Sequence, residues 1–68
     1  MQAESAALIR EARVRLGIDQ ATLALWCGVS LRSIQSWEAG AASPQPRHRR
    51  LLARRLGVSE AELFPPSA

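Results

Sequence analysis

Between Gly28 and Gly40 the chain carries Arg32, Ser33, Gln35 and Ser36, which can hydrogen-bond outward, around Ile34 and Trp37, which favour burial. A second group follows: Arg47, Arg49, Arg50, Arg54 and Arg55 crowd together with His48 among them, and no acidic residue lies between Glu38 and Glu60. The first group suits hydrogen bonding to an outside partner. The second is a local basic patch, a footprint for phosphates or simply a solvated helix face. Catalysis finds no footing. His48 stands among arginines with no carboxylate neighbour in sequence, and a nucleophile needs a base and an orienting group within reach. Cys27 is the single cysteine, which excludes an internal disulfide, and one histidine beside it leaves too few soft ligands for a metal. Neither an enzyme nor a cofactor is expected.

The elements that must position these groups are small. A chain of 68 residues makes one domain, taken here as residues 1–68 with a core over about 6–64. Such a domain buries only about 60% of the surface its unfolded chain exposes, which leaves no room for a large substrate cavity. At 47% hydrophobic the composition supports a core and argues against disorder, and its abundance of alanine, leucine and arginine favours helix. Every basic residue is arginine, and the formal net charge is +3. No apolar run approaches the roughly 20 residues of a membrane span. The N-terminal MQAESAALIRE lacks a signal-peptide pattern, so a reduced, cytoplasmic protein is expected.

Five short helices and no strand are predicted. Leu8, Ile9, Ala12 and Leu16 recur at helical steps, and Gly17 closes the first helix. Asp19 caps a second over 20–27 and Gly28 stops it; Ser30 caps a third over 31–39 and Gly40 stops it. AASPQP is a loop, and Pro46 fits the first turn of a fourth helix ending near Leu56. Ser59 and Glu62 form a capping box for a fifth through Leu63 and Phe64. At about 100° per residue, Leu31, Gln35, Ala39, Arg32 and Ser36 share one arc of the third helix. Ile34 and Trp37 fall opposite and pack inward. On the second helix Leu23, Ala24 and Cys27 share a face, with Ala24 small enough for close helix contact.

Two helices joined by a turn at Gly28 have the geometry of a helix-turn-helix over about 20–39. The sequence also resembles the Cro/phage-repressor (XRE-like) helix-turn-helix family. The matching residues are Arg13, Leu16-Gly17-Ile18, Gln20, Leu23-Ala24 and Gly28-Val29-Ser30, then Ile34, Trp37-Glu38, Gly40, Pro44 and Leu56-Gly57-Val58-Ser59. The resemblance implies an all-α, compact five-helix lambda-repressor-like fold whose third helix lies in the major groove of double-stranded DNA. It places Leu31, Arg32, Gln35 and Ser36 in base-reading positions. Arg32 would donate two hydrogen bonds to guanine, and Leu31 would pack on a thymine methyl. Gln20 and Ser30, with Arg47, Arg49 and Arg50, would contact phosphate. Arg13 and Glu38 resemble the family's structural ion pair.

The chain departs from the family at two places. The loop after Gly40, often basic, is Ala41-Ala42-Ser43 here, and Leu25 and Trp26 sit off the core face of the second helix. Exposed large apolar groups tend to mark interfaces. Trp26, Leu63 and Phe64 are therefore candidate dimer or partner contacts, with the core as the simpler place for Leu63. A homodimer is expected because one module spans too little DNA for tight binding. The leading expectation is a sequence-specific DNA-binding regulator that represses transcription. The competing one is a protein-interaction module, antitoxin-like, that keeps the fold and binds a protein partner. RNA recognition is disfavoured, since two tryptophans and one phenylalanine offer few stacking platforms.

Overall fold

The largest fully buried side chains are Ile9, Leu23, Ile34, Leu52 and Leu63. Each comes from a different helix of the structure, a computed structural model that describes residues 2–66. The helices are α1 (Gln2–Arg15), α2 (Gln20–Cys27), α3 (Leu31–Ala39), α4 (Pro46–Leu56) and α5 (Glu60–Leu63). Ala12, Ala24 and Ala53 fill the gaps where helices cross, and Trp37 and Leu56 complete the cluster. Removing one such leucine or isoleucine side chain from water is worth about 1.5–3 kcal/mol. The core is therefore held by one anchor per helix, and α3 lies at its centre, packed chiefly on α1 and α2.

Side-chain caps set the starts of three of the helices. The Asp19 carboxylate accepts the Thr22 N–H at 2.8 Å, Ser30 Oγ accepts the Ser33 N–H at 3.1 Å, and Ser59 and Glu62 close a reciprocal capping box. The turn between α2 and α3 depends on Gly28, whose φ of 66° suits a residue without a Cβ. That conformation lets the Val29 N–H bond the Ala24 carbonyl at 3.0 Å and turns Val29 onto the core. Gly40 ends α3 in the same way at φ 75°, with the Ala41 N–H on the Ser36 carbonyl at 2.9 Å.

Two expectations change. Leu16 is 47% exposed, because α1 ends at Arg15 and helical periodicity no longer governs the next residue; Ile18 packs on the core instead. Phe64 is outside α5. It leaves the helical conformation, with φ −129° and ψ 72°, and its N–H bonds the Glu60 carbonyl at 2.8 Å.

Candidate nucleic-acid interface

The α3 wheel turns one polar face outward. Leu31, Arg32 and Gln35 are exposed and Ser36 is half-buried; together with Ala39 and Ala41 they line one shallow open concavity. Arg32 and Gln35 make no side-chain hydrogen bond within the described residues, so their donors are free for an outside partner. Leu31 is 43% exposed at the first turn of α3, where solvent gives no reason for a leucine. Ser30 is committed to capping: its hydroxyl also shares a 3.0 Å bond with Ser33 Oγ. It can face phosphate only through what that bond leaves over.

Behind this face three elements are locked together at Glu38. Arg13 donates from Nε to Glu38 Oε2 at 2.7 Å and from Nη2 to Oε1 at 3.0 Å, a two-bonded fork between α1 and α3. Arg13 Nη1 donates to the Ile18 carbonyl at 2.9 Å, which ties in the α1–α2 turn. Hydrogen bonding to the Glu38 carboxylate raises the Arg13 pKa against the opposing cost of burial. Gln20 completes the set by donating to Glu38 Oε1 at 3.0 Å. The side-chain amide expected to reach phosphate is thus turned toward a carboxylate that already demands donors. The remaining phosphate-binding capacity at the start of α2 lies in its backbone amides.

The basic patch divides. Arg47 and Arg50 are exposed, whereas Arg49 is not aimed with them. Its guanidinium lies over the Phe64 ring, 5.7 Å from the centroid, and its Nε is buried without a partner. One turn of helix spreads its side chains over all directions, so neighbours at 49 and 50 cannot share a target. The start of α4 is electrostatically unfinished. Gln45 makes no side-chain cap, and the first turn holds basic residues with no acidic one, against the positive end of the helix dipole. An anion there offsets both deficits.

Arg10 is a residue that sequence reasoning missed. It is exposed on α1 and lines one groove with Gln20, Gln35 and Ala39, beside the α3 face. Its signal was available: it sits three residues before Arg13, on the same side of α1. Of the expected partner contacts, Leu63 is only 2% exposed and belongs to the core. The last turn of α5 must bury one apolar side chain against α1 and α4, and Leu63 is that side chain. Phe64 is half-buried under Arg49. Trp26, 40% exposed, shares a surface depression with Arg54 and Arg55, beside Leu25 at 80%. Cys27 is buried against the core, and burial pushes its thiol pKa up. No helix of the described residues is long and apolar enough to cross a membrane.

A family model described as helix-turn-helix matches residues 9–63. No curated protein matches. Among solved structures, the chain superposes on the crystal structure of CoII HppE in complex with Tris buffer with a TM-score of 0.86 and 26% identity. That match covers 98% of this chain and 38% of that one, so the present chain spans well under half of that neighbour's length.

Proposed function

The chain belongs to the helix-turn-helix family of the XRE, Cro/C1 type, and on that footing we propose that it is a sequence-specific regulator that reads duplex DNA as a dimer and represses transcription. The observation that carries the reading is the outer face of α3. Its Arg32 and Gln35 donors are unengaged, beside an exposed Leu31, and its angle is fixed from behind by the Arg13–Glu38–Gln20 network. Arg32 suits guanine O6 and N7, Gln35 suits adenine N6 and N7, and Leu31 suits the thymine methyl. Arg10 on one side and Arg47 and Arg50 on the other are cations for the two flanking backbones. Backbone contacts hold the register while the α3 side chains discriminate. A DNA ligand assigns the protein to the cytoplasm. The role is one of binding, not catalysis: His48 packs on Trp37 at 5.4 Å between ring centroids, and Cys27 is buried with its pKa raised.

One observation favours a second reading, a protein-binding module. Leu25 and Trp26 expose apolar surface beside Arg54 and Arg55. Selection of bound fragments from a random-duplex pool separates the two. Recovery of an inverted repeat with half-sites about one helical turn apart, or a multiple, establishes a dimeric reader. A single half-site establishes a monomeric one. No enrichment by folded protein overturns the proposal in favour of the protein-binding module.

A further inference from the structure

We infer that the domain carries a ligand pocket behind α3, and that the ligand class is a small aromatic carboxylate. A cavity of about 210 Å3 lies among Ile9 of α1, Trp37 of α3, Pro44 of the following loop, Arg49 of α4 and Phe64. Among the described residues Arg49 is the one charged residue lining it, and none of their carboxylates lines it. The Arg49 Nε is buried and finds no hydrogen-bond partner among the described residues, so the guanidinium is left short of acceptors on that side and meets the cavity through its other N–H groups. The guanidinium is held over the Phe64 ring at 5.7 Å, an arrangement that positions a cation without satisfying its N–H groups.

The ligand chemistry follows from these features. A planar guanidinium takes a carboxylate in two parallel hydrogen bonds. Of the other walls, Ile9, Trp37, Pro44 and Phe64 suit an aromatic ring, and Ser5 and Ser43 add hydroxyls. An apolar cavity of about 150 Å3 already accepts benzene, so this one accommodates a ring with its carboxylate.

The pocket also touches what the reading face depends on. Trp37 is on the inner side of α3, one residue from Ser36, and Pro44 is in the loop that carries the chain to Arg47. An occupant therefore braces the recognition helix and the loop leading into α4 together. This effector role rests on the DNA-reading function proposed above, whereas ligand uptake does not.

Titrating the isotope-labelled chain with benzoate, and following backbone amides by NMR, tests the pocket. Benzoate is expected to give saturable shifts clustered at Trp37, Ala42, Ser43 and Phe64, with benzamide binding at least about tenfold more weakly. Arg49→Gln should weaken benzoate by about tenfold or more, and Ala42→Leu, which keeps Arg49 and fills space, should also lose it. Equal binding of benzamide, the same cluster with inorganic phosphate, absence of a saturable cluster, or shifts that survive in both variants would each overturn the assignment. Adding duplex to the same sample reads Arg32 and Gln35 separately. Loss of the DNA response with the benzoate response intact removes the effector role alone.

Discussion

Gln20, the first residue of α2, donates its side-chain amide to Glu38 in the last turn of α3 at 3.0 Å. The bond spans the helix-turn-helix opposite its turn. The two helices are thereby joined at both ends: by Gly28–Ser30 at one, and by this amide–carboxylate contact at the other. Because Arg13 bonds the same Oε1, α1 is fixed to the same point.

Glu38→Ala is expected to destabilise the domain strongly. It leaves the Arg13 guanidinium, whose side chain is 12% exposed, without its acceptor, and strands the Gln20 amide. Removing one partner of a largely buried pair costs about 3 kcal/mol or more. For a domain of this size that lowers Tm by more than about 10 °C, read by thermal circular dichroism. Glu38→Gln keeps the packing and one acceptor and should lose less; equal losses would show that the carboxylate charge, not packing, is what this position supplies.

Arg32→Ala and Arg47→Ala should fail in different ways on the selected duplex. The first should relax preference at one base pair by about 1–3 kcal/mol. The second should weaken all sequences alike and reduce the salt slope of log affinity by about one. A binding series over single-base variants at several salt concentrations distinguishes them. Uniform weakening by both variants would remove Arg32 from the reading set.

Trp26→Lys should leave the fold intact, because Trp26 is 40% exposed and outside the buried cluster. If Leu25 and Trp26 form the contact between copies, analytical ultracentrifugation should show the dimer lost and Arg32 preference reduced to a half-site. An unchanged oligomer would send the search for the interface elsewhere.

Acid should loosen the start of α2 before the rest. Hydrogen bonding from the Thr22 side chain, then from its backbone N–H, holds the Asp19 carboxylate below its ordinary value of 3.8. A carboxylate with a lowered folded-state pKa adds stability that is present above the unfolded value and lost as pH falls through the folded one. Urea melts should therefore weaken below about pH 4, and Asp19→Asn, which still caps without titrating, should flatten that slope. An unaltered slope would show that the Asp19 cap does not carry the acid response.

Helix starts and stops were legible because their causes are local. Asp19, Ser30 and Ser59 bond amides within three residues, and Gly28 and Gly40 supply a backbone conformation that other residues resist. The outer face of α3 was legible as well, since it follows from helical rotation and the burial of Ile34 and Trp37. Other features depend on partners distant in sequence. The direction of Gln20 is set by Glu38, that of Arg49 by Phe64, and the setting of Trp26 by the end of α4. Leu16 misled because its periodicity continues past the point where the chain leaves α1. Arg10 was overlooked because only the packing of α1 on α3 brings it to Gln35.

Of the exposed cations of α4, Arg47, Arg50 and Arg54 recur at steps of three and four and so form one row. Guanidinium groups escape the acylation that silences lysine amines. The charge of that row is thus invariant to amine-directed modification. Ionic strength does act on it, and a duplex held there should be released by added salt.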